Sequence, residues 1–184
     1  MKNVSTVYSD GINIYIAAEI KSKVAGKLLL GSILIVAIAV FLYLLVSVDF
    51  KEMGKASIPI ILIPCFFLYF LSKYLLWNIY GQEHIVVNSK TVTYYYNYGF
   101  FRTPLKTVFH NRLGISYRIT DRFEDENFGR MLFVNYNQDT NLPEALHETA
   151  VEINEKTATE IEKILEKLLF DKFNEDRGFI FLEN

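Results

Sequence analysis

The hydrophobic pattern divides the chain near residue 80. Residues 28–48 (LLLGSILIVAIAVFLYLLVSV) run for 21 positions without a charge. As a helix they reach about 31 Å, the hydrocarbon thickness of a bilayer. A helix in a soluble core keeps polar residues on one face, whereas this run holds nothing more polar than Ser32, Tyr43 and Ser47. A second apolar run, 56–80, is broken only by Pro59, Pro64 and Lys73. Pro59 falls in the first turn, where a missing N–H costs little. Pro64 lies deeper and predicts a kink, which helices in lipid tolerate. Lys73 sits near enough to the far end for its ammonium to snorkel to the headgroups. Tyr74, Trp77 and Tyr80 are aromatics of the kind that gather at a membrane–water boundary, so Lys73, Tyr74, Trp77 and Tyr80 read as interface anchors. Only residues 49–55 separate the runs, which predicts a hairpin of two transmembrane helices, 28–48 and 56–80.

A hairpin sets both termini on one side. Lys2, Lys21, Lys23 and Lys27 precede the first helix, Lys51 and Lys55 share the turn with Asp49 and Glu52, and Lys73 adds a charge at the end of the second. The positive-inside rule then favours both termini in the cytoplasm. Ala37 and Ala39 form the A-x-A pattern of a cleaved signal, but the apolar run continues well past them, so the helix is expected to be retained.

Beyond residue 80 the period changes. Segments 84–88, 91–98, 105–110, 114–120 and 131–136 are β-branched, aromatic or alternating and predict strands. Segment 121–127 (DRFEDEN) reads as a charged loop, and 137–141 as a turn. Segment 145–153 supplies one or two short strands, although it would also pass for a helix. Thr157 with Glu160 forms a capping-box pattern. Ile161, Ile164, Leu165, Leu168 and Leu169 then give one apolar helical face, which packs on a sheet or, alternatively, binds a partner. The tail, 174–184, carries an apolar patch at 179–182, either an edge strand or a docking segment. The expected organisation is an N-terminal segment with a short strand (1–27), the hairpin (28–80), a strand-rich domain with its helix (81–173) and the tail.

Charge sharpens this division. Residues 1–80 carry 7 Lys and Arg against 4 Asp and Glu, a balance of +3, and residues 81–184 carry 12 against 17, a balance of −5. An acidic polar half excludes a strongly basic nucleic-acid binder. An apolar share of 51% excludes disorder, and the single cysteine, Cys65, excludes a disulfide scaffold.

About seven short antiparallel strands followed by one amphipathic helix is the element order of a pleckstrin-homology-like (PH-like) domain, an antiparallel open β-barrel capped by a C-terminal helix. The expected fold class is thus a membrane α-helical hairpin plus an α+β PH-like domain. The chain resembles the bacterial two-transmembrane-helix proteins with a PH-like domain. The resemblance rests on Ile12-Asn13-Ile14-Tyr15-Ile16, the lysine-containing approach to the first helix, and the exit Leu75-Leu76-Trp77-Asn78-Ile79-Tyr80-Gly81. It extends through Gly81-Gln82-Glu83-His84-Ile85, the strand and turn at 131–141, and the acidic, alanine-containing stretch before the last helix. It covers nearly the whole chain in loose apolar patterns. It implies a fold and a location in the bacterial cytoplasmic (inner) membrane, and brings no catalytic residue. It also implies that residues 12–16 join the barrel across the two helices, since an alternating strand left alone would have no sheet to enter.

Candidate chemistry is sparse. His84, His110 and His147 lie on different predicted strands or turns, no pair has ligand spacing, and Cys65 falls mid-helix, so neither a thiolate nor a zinc site is expected. Phosphate-binding glycine loops and nucleophile elbows do not occur. Glu124, Asp125 and Glu126 form a carboxylate cluster that reads as a solvated loop, with a cation site as the alternative. No cofactor, metal or catalytic residue is expected. PH domains that bind phosphoinositides gather basic residues around the first hairpin, which here offers Lys90 and Arg102. Arg112, Arg118, Arg122 and Arg130 remain a candidate anionic-headgroup rim. Tyr94, Tyr96 and Tyr98 share one face of a strand. That face either fills the domain or forms an aromatic platform for a partner.

The expectation is a non-enzymatic membrane protein, integral to the lipid bilayer, whose cytoplasmic PH-like domain binds or scaffolds a protein partner. An alternative is an accessory subunit or assembly factor, recognised through the hairpin, where Gly31, Ala37 and Ala39 permit close helix contact. Lipid-headgroup sensing is a third.

Overall fold

The computed structural model describes residues 4–47, 54, 57–123, 126–137, 140 and 142–178. Strands β1 (Val4–Ser9) and β2 (Asn13–Glu19) form a hairpin ahead of two long helices, α1 (Val24–Ser47) and α2 (Ser57–Tyr80). Then come β3 (Gln82–Asn88), β4 (Thr91–Asn97), β5 (Lys106–Phe109), β6 (Leu113–Phe123), β7 (Glu126–Tyr136), β8 (Pro143–Glu148) and β9 (Ile153–Asn154). Helix α3 (Glu155–Gly178) completes the order. The turn residues Asp49, Lys51, Glu52 and Lys55, together with Lys2 and the 179–182 patch, lie outside the described residues.

Both α1 and α2 are long and apolar enough to cross a membrane, with mean hydropathies of 2.9 and 1.9 over their most apolar stretches. No residue of α1 is buried. Its half-covered positions Leu30, Gly31, Leu34, Ala37, Phe41 and Leu44 recur at helical spacing and mark the stripe turned toward α2. Helix α1 starts at Val24, a turn ahead of the uncharged run, and the Lys27 N–H already donates to the Lys23 carbonyl at 3.1 Å. Pro64 is carried inside α2 without ending it.

Among the described residues nine strands form two antiparallel sheets, β1-β2-β3-β4-β5 and β6-β7-β8, with β9 on β7 beyond the end of β8. The sequence pattern undercounts them. β1 (VSTVYS) is rich in small polar residues, and β9 is two residues long. Among the described residues no ladder joins the sheets, so the domain is not a closed barrel. The alternating INIYI segment enters β2, which pairs with β3 so that Ile16 faces Ile85 and Glu19 faces Gln82. One sheet therefore holds the chain on both sides of the helical hairpin.

The core lies between the sheets. Ile14, Ile16 and Ala18 of β2, Ile85 and Val87 of β3, and Val92 of β4 meet Met131 and Phe133 of β7 and Ile153 of β9. Helix α3 lays Ala158, Ile161 and Leu165 on this cluster, with Ile164 and Leu168 half-buried beside them, as the apolar face predicts. Its start differs from the capping-box reading. Asn154 Oδ1 accepts the Thr157 N–H at 2.8 Å, so Asn154 is the N-cap and Thr157 lies inside the first turn. An asparagine three residues earlier fills the role assigned to Thr157. Segment 121–127 is also not a long loop, because β6 continues to Phe123 and β7 begins at Glu126. A bulge at Thr120 shifts the register, which obscures the alternation in sequence.

Candidate functional site: an aromatic junction and a buried carboxylate

The last turns of α2 meet the ends of β2, β3 and β4. The Gly81 N–H donates to the Trp77 carbonyl at 2.9 Å, and the Gly81 carbonyl accepts the Ile20 N–H at 2.9 Å. The Ser22 hydroxyl donates to the Asn78 carbonyl at 2.6 Å. A Cβ on Gly81 would collide with the Trp77 carbonyl and indole, so this close passage from helix to strand requires glycine. Trp77 then sets its indole against Tyr96 and Tyr98, with ring centroids 5.6 and 5.1 Å away. Lys73 Nζ lies 5.4 Å from the centre of the Tyr98 ring, Phe101 stacks on Tyr98 at 4.7 Å, and Tyr80 meets Phe100 edge-on at 5.6 Å.

Tyr94, Tyr96 and Tyr98 thus share a face, as strand alternation requires, and all three are half-buried with their rings engaged inside the chain. Burial pushes the Tyr96 phenol up to about 12. On the opposite face Tyr95 stacks on His84 at 4.7 Å, and burial holds the His84 imidazole below its ordinary range. Of the anchors named from sequence, Lys73, Trp77 and Tyr80 take part in this junction, while Tyr74 is exposed on α2.

Tyr94 leads inward. Its ring stacks on His147 at 3.8 Å, and the His147 Nε2–H donates to Glu83 Oε1 at 2.8 Å. Glu83 Oε2 accepts the N–H groups of Ala150 and Val151 at 2.8 and 3.1 Å. Glu83 is fully buried and His147 is 7% exposed. Glu83 belongs to β3, whereas its partners belong to β8 and the loop after it, so one carboxylate ties the two sheets together. Both of its oxygens are satisfied, as a buried acid requires. In the sequence Glu83 reads as part of a start pattern and His147 as an ordinary strand residue. A signal was present: Glu83 shares the inward phase of Ile85 and Val87, and an acid in that phase must find partners.

The four arginines are not gathered into one rim. Arg118 and Arg130 face each other across β6 and β7, and Arg118 pairs with Glu148 at 3.4 Å. Arg112 precedes β6 and lies over the Tyr136 ring at 5.8 Å. It is about 20 Å along the strand from Arg118 and about 33 Å from Arg122. Glu124 and Asp125 of the carboxylate cluster lie outside the described residues, and Glu126 Oε1 is 3.7 Å from Lys156 Nζ. Among the described residues no three His, Cys, Asp or Glu side chains are grouped to hold a metal ion. A slot of about 160 Å³ between β6 and α3 is lined by Ile115, Ser116, Tyr117, Ala158 and Glu162 among others. Burial pushes the Tyr117 phenol there up to about 12, and its hydroxyl donates to the Ile153 carbonyl at 2.9 Å.

Comparison of the chain with protein-family models, with curated proteins and with solved structures finds no match.

Proposed function

We propose that the chain is an integral protein of a bacterial cytoplasmic membrane whose PH-like domain acts as a non-enzymatic binding or scaffolding module for another protein. Both termini lie in the cytoplasm in this reading. Its membrane part is supported by the unburied apolar surface of α1 and α2, which water would not tolerate. The β2–β3 ladder supports a hairpin topology, since both flanks of the helices enter one sheet. Two antiparallel sheets with a C-terminal helix over their common core agree with a PH-like arrangement.

The observation that carries the binding reading is the edge of β6. Ten of its eleven residues pair with β7 on one side, Thr120 being bulged, and among the described residues no strand pairs on the other. That edge borders the slot against α3. Unpaired strand edges accept an added strand, with side-chain recognition from the neighbouring groove. The accessory-subunit reading draws less support, because of its three small residues Gly31 and Ala37 lie on the stripe turned toward α2 and only Ala39 is exposed. Headgroup sensing draws less because Arg112 stands about 20 Å along the strand from the facing pair Arg118 and Arg130.

The test is a tagged purification from native membranes in mild detergent, with a photocrosslinking residue at Ser116 or, as a control, at Lys90 in the β3–β4 turn. A stoichiometric protein crosslinked from Ser116 and not from Lys90 is the expected result. A chain that purifies alone overturns the reading.

A further inference from the structure

We infer that the segment between β4 and β5, residues 98–105, is a third attachment to the bilayer, inserted into the interfacial layer beside the end of α2. This rests on the membrane-spanning reading of α1 and α2. The 24 residues of α2 measure about 36 Å, against about 30 Å of hydrocarbon. About 20 residues from Ser57 bring the helix to Trp77, so its final turn stands in the headgroup layer.

The segment is fastened at that depth. Tyr98 touches Trp77 and lies beneath the Lys73 ammonium, one to two turns before the end of the helix. Gly99 has a φ of +87°, and a Cβ there would sit 2.9 Å from Tyr80 Cβ and Cγ, so the chain is pressed against the last residue of α2. The turn then holds Phe100 outward, 80% exposed, with Leu105 67% exposed farther along. Arg102 and Lys106 stand beside these apolar residues, where cationic heads would meet lipid phosphates. A lone exposed phenylalanine needs no explanation. An aromatic tip held against the interfacial turn of a spanning helix has the bilayer as its neighbour.

Phe109 provides the internal contrast. It is 76% exposed but pairs with Thr91 at the other end of β4, about 20 Å along the strand from the junction.

The test uses the full chain in vesicles of phosphatidylcholine with a minor share of phosphatidylglycerol, and nitroxides on single cysteines. The native Cys65, exposed on α2, reports on the hydrocarbon. Phe100→Cys, Leu105→Cys and Phe109→Cys are each made with Cys65→Ala. Collision rates are measured with oxygen, which concentrates in lipid, and with a water-soluble nickel chelate. The expected result is a several-fold lower nickel collision rate at Phe100 and Leu105 than at Phe109. Equal nickel access at all three, with Cys65 shielded, overturns the insertion and leaves the spanning helices standing. That outcome also follows if the aromatic tip serves a protein partner, since none is present. Free nickel access at Cys65 overturns the spanning reading and the insertion together.

Discussion

The two sheets are held in different ways. The first is continuous with both long helices, through β2 into α1 and from α2 into β3, and its near end is packed with Trp77, Tyr96, Tyr98 and Phe101. The second reaches the helices through the first, and its outer face carries Arg118, Arg130 and Glu148. Aromatic rings fix the first sheet to the helix end, while the second sheet turns a charged face outward and leaves an edge of β6 that, among the described residues, no strand covers. Glu83 is a polar link between them.

Breaking that link carries the largest expected effect. Glu83→Ala leaves the imidazole N–H of His147 and the N–H groups of Ala150 and Val151 facing a void. Removing one partner of such a buried network costs about 3–5 kcal/mol. Chemical denaturation in detergent should register the loss. Hydrogen exchange should find the amides of Ala150 and Val151 deprotected first, and Glu83→Gln should retain part of the stability through its remaining acceptor. Protection unchanged at these amides would remove Glu83 as the tie.

Trp77→Ala attacks the other attachment, that of the first sheet to the helix. Truncating a packed tryptophan costs about 3 kcal/mol, here shared by the contacts with Tyr96 and Tyr98. Exchange should rise at Tyr96, Asn97 and Tyr98 and stay near wild-type at Met131 and Phe133. Equal loosening of both sheets would mean that they form one cooperative unit with the helix end.

These two sites were unequally legible in the sequence. The long helices are plain because an uninterrupted apolar run has few other homes. The inward stripe of Ile85, Val87 and Val92 follows from alternation alone. Trp77, Tyr80 and Lys73 were recognisable as residues of a helix end. That their ring partners would come from β4 and the segment after it depends on the β3–β4 register, which local pattern does not specify. Glu83 was visible as an acid in the wrong phase, yet its partners lie more than sixty positions away. That a strand before the helices joins the sheet after them is expected for residues 12–16, but the register that sets Glu19 opposite Gln82 is not written in the local pattern. The α3 start lies three residues ahead of the capping-box pattern because Thr157 and Asn154 are both capping types, and only the folded backbone decides which side chain accepts.

Asn154→Ala confines the disturbance to the second sheet and α3. Loss of an N-cap acceptor costs about 1 kcal/mol, and the first turn of α3, Glu155 to Ala158, should fray by exchange. Asn154→Asp should preserve the cap.

A proton distinguishes the sheets more gently. Burial holds His84, on the outer face of the first sheet, below its ordinary 6.5. As pH falls, the unfolded chain therefore takes up this proton before the folded one does. The His84 contribution to stability is complete above about 6.5 and is lost as pH drops from there toward the lowered folded value. An NMR titration of the His84 ring should give a midpoint below 6.5. Tyr95→Ala, which uncovers the stacked imidazole, should move that midpoint upward.

The smallest expected effect belongs to the charged face of the second sheet. Arg118 and Glu148 form a 3.4 Å pair with side chains 75% and 42% exposed, and such pairs contribute about 0–1 kcal/mol. Arg118 also stands directly opposite Arg130, and like charges across a strand pair repel. The attraction and the repulsion offset, so Arg118→Ala should change the denaturation midpoint little in either direction. Exchange protection in β6 and β7 should stay as it is. A large loss would mean that this face is needed to hold the second sheet together. A negligible one means that its charges are not required by the fold, as expected of an exposed pair.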